Sequence, residues 1–178
     1  MSEALLLLGS NYERIKNMSA AIEILHRRAE VTVLGVSDFY ESDDVGGQSA
    51  AFLNAAVWIK TELSPACLRM LLRRIEAQMG RVRRGDSVSP LPIDLDISLY
   101  DDITLSLEST TIPDPGICRY PHVAVPLAQL CPEWQHPEIG KTLTEIANAM
   151  DCQQLRCLSP VHTTSSRHIG QNHDFKSS

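Results

Sequence analysis

With 178 residues the chain is long enough to bury one core, and its 16 Lys+Arg against 22 Asp+Glu leave a net charge of −6, which argues against broad, nonspecific nucleic-acid binding and confines any anion site to a local cluster. The five cysteines, Cys67, Cys118, Cys131, Cys152 and Cys157, are odd in number and lack Cys-x-x-Cys spacing, a pattern of reduced thiols. The apolar run Ala4 to Leu8 is too short for a signal-peptide core, and no segment approaches the length of a membrane span, so a cytoplasmic location with no membrane partner is expected.

Ala4-Leu5-Leu6-Leu7-Leu8, ended by Gly9-Ser10-Asn11, fits a buried strand running into a turn. From Tyr12 to about Arg28, Ile15, Met18, Ala21, Ile22 and Leu25 recur at helical spacing. Val31 to Tyr40 is β-branched and aromatic and reads as a second strand. A polar loop from Glu41 to Ser49 contains Gly46-Gly47, and Ala51 to Lys60 resumes as a third strand. Ser64 as N-cap and Pro65 at the first helical position open a second helix. Leu68, Leu71, Leu72, Ile75 and Met79 give it an apolar face, and Gly80 stops it.

After the basic cluster Arg81-Val82-Arg83-Arg84 and the loop Gly85 to Pro90 comes Leu91-Pro92-Ile93-Asp94-Leu95-Asp96-Ile97-Ser98-Leu99-Tyr100, a fourth strand. The order strand, helix, strand, strand, helix, strand is the split βαβ pattern of an α+β, ferredoxin-like antiparallel sheet. Both helices would cover one face and leave the other free for a site. Further on, Leu107 to Pro115 is expected to be extended, Val123 to Leu130 a short helix and Lys141 to Met150 helical. Residues 1–150 form the expected single domain, and 151–178 an extension that is disordered from about 161. His162, His168 and His173 read as solvated tail residues rather than metal ligands.

Strand side chains alternate, so Asp94 and Asp96 share one face while Ile93, Leu95 and Ile97 share the other. Two like charges on a half-buried face repel each other and lose hydration unless a cation neutralises them, and a divalent metal does so economically. Six of the 16 basic residues (Arg69, Arg73, Arg74, Arg81, Arg83, Arg84) lie between positions 69 and 84. Some of them read as a solvated helix face. Acids, arginines and an adjoining loop together suit a polyphosphate.

The chain resembles the 6-hydroxymethyl-7,8-dihydropterin pyrophosphokinases of folate synthesis over about Leu5 to Met150. The resemblance rests on Leu8-Gly9-Ser10-Asn11, Val36-Ser37-Asp38-Phe39-Tyr40 leading to Val45-Gly46-Gly47, and Phe52-Leu53-Asn54-Ala55-Ala56. It continues through Ile75-Glu76, Gly80-Arg81-Val82-Arg83, Ile93-Asp94-Leu95-Asp96, Ile112-Pro113 and Val125-Pro126-Leu127. It implies Mg²⁺-dependent transfer of pyrophosphate from ATP to the hydroxymethyl group of a reduced pterin, releasing AMP. Asp94 and Asp96 match the ligands of two Mg²⁺ ions, and Arg81, Asp94 and Asp96 the catalytic positions. Glu76, Arg81, Arg83, Ile97 and Thr111 match the ATP site; Ser42, Val45, Phe52, Asn54 and His122 match the pterin pocket. The implied partners are these small molecules, with no nucleic acid, in a monomer or homodimer.

The family's usual aromatic-Gly-Pro-Arg before the aspartates reads Val88-Ser89-Pro90-Leu91 here, which removes a phosphate-binding arginine at Leu91. A nucleotide-side histidine is Asp114, a usual proline is Asp43, and the later Arg-x-Phe is Tyr120-Pro121-His122, with Arg119 adjacent as a replacement cation. These changes leave a second reading open, a divergent paralogue that binds pterin or nucleotide with an altered substrate or little turnover.

Overall fold

The structure, a computed structural model, describes residues 1–43, 51–81, 90–107 and 110–158. The leucine run forms β1 (Ser2–Ser10), and the helix after it is α1 (Arg14–His26), which buries Met18, Ala21 and Leu25 but leaves Ile15 exposed. The expected second strand is two strands, β2 (Val31–Val36) and β3 (Phe39–Ser42), followed by β4 (Phe52–Thr61). Helix α2 (Pro65–Gln78) starts where the Ser64 hydroxyl accepts the Cys67 N–H and ends before Gly80, whose φ of 88° is the left-handed conformation glycine favours. The aspartate strand is β5 (Asp94–Tyr100).

β1 lies inside the sheet, antiparallel to β4 on one side and to the outer strand β5 on the other, and β4 in turn pairs with β2 and β3. This is the antiparallel α+β, ferredoxin-like arrangement that the element order implies. The leucine run is continuous because both faces of β1 are covered: Leu6 and Leu8 join α1 and α2 in one core, and Leu5 joins the opposite one. Leu95 and Ile97 point to the helix side, yet Leu99 points away from it. A register shift at Leu5/Leu6, where Ile97 pairs with Leu6 but Leu99 with Leu5, changes the face presented beyond it.

The second face is not bare, contrary to expectation. Residues Leu105–Leu107 and Thr110–Ile112 form a small two-stranded sheet, β6 and β7, and a short 3-10 turn spans Pro115–Cys118. Helices α3 (Pro121–Leu130) and α4 (Leu143–Asn148) then lay Val123, Ala124, Leu127, Leu143 and Ile146 over Leu5, Ala56 and Leu99. They cover part of the face, and the uncovered remainder carries the site. The extension expected from residue 151 begins with ordered structure: β8 (Arg156–Leu158) pairs antiparallel with β3 and becomes the far edge of the sheet. The expected disordered tail and its three histidines lie outside the described residues.

The interruption between β2 and β3 has a local cause. Ser37 donates its N–H to the Ala56 carbonyl, but its hydroxyl, rather than a backbone carbonyl, accepts the Ala56 N–H at 2.8 Å while donating to Asp38 O at 2.8 Å. Ser37→Ala strands the buried Ala56 N–H and should lower stability by about 1–3 kcal/mol. Urea unfolding measures this, and an unchanged midpoint would show that the hydroxyl contributes nothing.

Candidate active site

Strand register aligns the polar residues of the uncovered face. Gly9 pairs with Asn54 of β4 on one side and Asp94 of β5 on the other, so these three lie in one row across the sheet. Leu7, flanked by Ala56 and Asp96, makes the next row. Because Gly9 has no side chain, the floor between Asn54 and Asp94 is bare backbone; a Cβ there would sit 3.7 Å from Asn54 Oδ1 and 3.9 Å from Phe52. Above this floor is a cavity of about 260 Å³ lined by Leu7, Gly9, Ser42, Asp43, Phe52, Asn54, Asp94, Asp96 and His122.

At the β5 end the carboxylates are held by two arginines. Arg81 donates to Asp94 and, at 2.8 Å, to Glu76 Oε1, which also accepts the Leu95 N–H at 2.9 Å. Glu76 is only 1% exposed, and burial raises its pKa against the Leu95 N–H and the Arg81 charge. On the other side Arg69, from α2, lies 2.9 Å from Asp96 Oδ1 and donates to the Leu95 carbonyl. Burial, then repulsion by Asp94, pushes the Asp96 carboxyl up to about 6 despite Arg69. Asp114 is also raised, by burial first and then by Asp94, although the Gly116 N–H it accepts at 2.7 Å opposes the shift.

Four carboxylates, Glu76, Asp94, Asp96 and Asp114, thus face two guanidinium groups, Arg69 and Arg81. Such an excess of negative charge suits a divalent cation. Among the described residues no cluster of three or more His, Cys, Asp and Glu is placed to hold a metal alone. This donor set fits Mg²⁺, which is commonly bound by one or two carboxylates together with water and substrate phosphates. It does not fit a metal that needs a closed protein cage.

The opposite end combines a buried amide with two rings, chemistry that suits a flat, polar molecule. Asn54 is 4% exposed inside a strand, and its amide nitrogen donates to Ser42 Oγ at 2.9 Å and to the Tyr40 carbonyl at 3.4 Å. Phe52 and His122 contribute rings to the same cavity. The His122 ring stacks on Tyr120 with centroids 5.3 Å apart and planes 19° from parallel, and burial lowers its pKa, which favours a neutral imidazole.

The structure brings together Ser42, Phe52, Asn54, Asp94, Asp96 and His122, with Arg81 and Glu76 bound to the aspartate end. Ile97 turns its side chain into the helix-side core, and Thr111 is exposed on β7; neither lines the cavity. Val45, Arg83 and Val88 lie outside the described residues. Arg119 is exposed beyond the 3-10 turn and does not line the cavity. The additional guanidinium at the aspartates is instead Arg69, which sequence reasoning left within a basic helix face. A signal was present: Arg69 and Glu76 are seven residues apart on α2 and therefore share a face.

Residues 5–132 match the family model described as 7,8-dihydro-6-hydroxymethylpterin-pyrophosphokinase. The chain is 33% identical over 154 residues to the 2-amino-4-hydroxy-6-hydroxymethyldihydropteridine pyrophosphokinase of Synechocystis, covering 86% of this chain and 78% of the relative. It is 40% identical over 130 residues to the protein of that name from Bacillus subtilis, covering 72% and 77%. A crystal structure of a Plasmodium falciparum HPPK-DHPS triple mutant superposes with a TM-score of 0.67 at 14% identity, over 83% of this chain and 41% of that longer one. That likeness is one of fold.

The raised Asp96 carboxyl gives a testable pH dependence. A group that holds its proton more tightly when folded stabilises the fold at low pH and loses this contribution as pH rises from the ordinary carboxylate range through about 6. Without metal, stability should therefore fall across that window, and Asp96→Asn should flatten the fall. Thermal melts from pH 4 to pH 7, values taken to bracket the roughly two-unit window, measure it. Identical pH profiles for the two proteins would refute the assignment.

Proposed function

Because the chain belongs to the 7,8-dihydro-6-hydroxymethylpterin-pyrophosphokinase family, we propose that the row Asn54, Gly9, Asp94 is the axis along which it holds a reduced pterin against ATP. The chain is an ATP-dependent pyrophosphokinase of folate synthesis. The observation that carries the finer reading is this register. It sets an amide for a heterocycle edge two strand spacings, about 10 Å, from a carboxylate pair suited to metal and phosphate.

In this reading Asn54 and Ser42 hydrogen-bond the edge of 6-hydroxymethyl-7,8-dihydropterin, while Phe52 and His122 provide ring faces for it. Neutral His122 stacks without adding charge. The bare backbone at Gly9 lets the ring lie close to the sheet and directs its hydroxymethyl group toward Asp94 and Asp96. There the hydroxyl oxygen bonds to the β-phosphorus of ATP, the bond from that phosphorus to the α–β bridging oxygen breaks, AMP leaves, and the hydroxyl proton is released. Asp94 and Asp96 would hold two Mg²⁺ ions, which when bound supply charge neutralisation on the triphosphate and acidify the attacking hydroxyl.

Arg81 and Arg83 serve the phosphates. Glu76, buried beneath Arg81, acts by aiming it rather than by touching nucleotide. Ile97 has only its backbone to offer ATP, since its side chain is internal, whereas the exposed side of Thr111 is open to the nucleotide's outer part. A second reading, a divergent paralogue with an altered substrate or little turnover, is favoured by Asp114, which adds a fourth carboxylate to the cluster of Asp94, Asp96 and Glu76.

Incubation with ATP, Mg²⁺ and 6-hydroxymethyl-7,8-dihydropterin should yield pterin-dependent AMP, and Asp96→Ala should reduce it by on the order of 10²-fold or more. Pterin binding without AMP formation would favour the paralogue instead. Asn54→Leu should raise the pterin KM by roughly tenfold or more with little change in the ATP KM, since it removes polar recognition at one end only. Equal effects on both KM values would refute the axis.

A further inference from the structure

Arg69 is a costly residue where it stands. On α2 it sits between core residues and is only 7% exposed, while Leu68 and Leu72 beside it are fully buried. Its Nε is buried with no hydrogen-bond partner among the described residues. A buried guanidinium with an unpaired N–H loses hydration that it does not fully recover, and an apolar side chain of similar volume would commonly serve stability as well or better. Stability therefore does not account for it.

The two contacts that Arg69 does make give it a different purpose. α2 packs against the helix side of β5, but Asp96 faces the opposite side. Among the described residues β5 is an edge strand of the sheet, so the Arg69 side chain can pass its edge, donating to the Leu95 carbonyl on the way and ending 2.9 Å from Asp96 Oδ1. The backbone contact fixes the guanidinium, and the guanidinium then fixes the carboxylate. One oxygen of Asp96 is occupied, leaving Oδ2 for another ligand.

We propose that Arg69 is a positioning residue that presents Asp96 as a one-oxygen ligand and, through its fixed charge, keeps the pair's affinity for a free divalent cation low until a polyphosphate is bound. The inference rests on the reading of Asp94 and Asp96 as the cation site. A divalent ion at the pair meets an immobile positive charge beside one of its two ligands, and partial burial keeps that repulsion from being fully screened. A triphosphate reverses the balance, because its negative charge attracts both the ion and the guanidinium. Retention of the ion is thereby coupled to nucleotide.

The test is Mn²⁺ binding by electron paramagnetic resonance, with and without α,β-methylene-ATP, in the wild type, Arg69→Met and Arg69→Lys. The Met variant fills the space without the charge and should bind free Mn²⁺ about fivefold or more tightly. The gain that the analogue gives the wild type should shrink in it. AMP formation should show a lowered kcat with an unchanged pterin KM, because Asp96 is no longer oriented. Arg69→Lys keeps a cation without the fork, so its free Mn²⁺ binding should stay weak. Mn²⁺ binding by a folded Met variant that is no tighter than wild type overturns the proposal, as does a Lys variant that binds as tightly as Met. Should the Met variant fail to fold, the Lys variant decides by itself: weak Mn²⁺ binding with a lowered kcat supports the proposal, and an unchanged kcat overturns it. A wild type that takes up no Mn²⁺ even with the analogue overturns the cation reading and this inference with it.

Discussion

Asp94 and Asp96 put two like charges on the same face of the outermost strand, and the polar architecture around them answers that repulsion. Arg81 pairs with Asp94 and is held by Glu76, which in turn is fixed by the Leu95 N–H. Arg69 pairs with Asp96 and is fixed by the Leu95 carbonyl. The peptide groups of Leu95, the residue between the two aspartates, therefore tie both arginine systems to β5 itself. Even so the cluster carries more carboxylate than guanidinium, which together with burial, the larger cause, keeps Asp96 raised and leaves a place for further positive charge.

The remainder of the sheet sets the distance over which this charge is used. β1 separates β4 from β5, so Asn54 and the aspartates are kept two strand spacings apart by the central ladder rather than by flexible side chains. α3 and α4 close the rest of the face, and Pro121 at the start of α3 places His122 at the margin of the cavity. The stacked pair Tyr120 and His122 then joins the helix start to the site. A cavity built on paired strands and a helix terminus keeps its geometry more tightly than one suspended on loops.

The core elements were legible because their signals are local: the leucine run of β1, the Ser64-Pro65 start and Gly80 stop of α2, and the alternation that put both aspartates on one side. What escaped was decided by tertiary contact. Val31 to Tyr40 alternates like one strand, and only the partner Ala56 N–H reveals that the Ser37 hydroxyl takes over the pairing and divides it. The cover over the second face could not be read from Val123 to Leu130 or Lys141 to Met150 taken separately, since helical periodicity does not say which face of a sheet a helix meets. β8 is three residues long and exposed, too short to stand out from the polar extension around it. Arg69 was hidden among basic neighbours because its contacts depend on β5 lying at the edge of the sheet.

The residues that depart from the family's usual ones have structural roles here. The Leu91 N–H donates to Asn11 Oδ1 at 2.6 Å, its carbonyl accepts the Asn11 N–H, and the Ser10 hydroxyl donates to Pro92 O at 2.7 Å, so this stretch clamps the turn after β1. Asp114 caps the 3-10 turn through Gly116, and Tyr120 supports His122. Leu91, Asp114 and Tyr120 thus serve as scaffold in this chain, while a guanidinium arrives from α2 at Asp96. That positive charge is pinned between Asp96 and the Leu95 carbonyl. A pinned charge cannot follow a phosphate through the reaction, but it needs no ordering when substrate arrives.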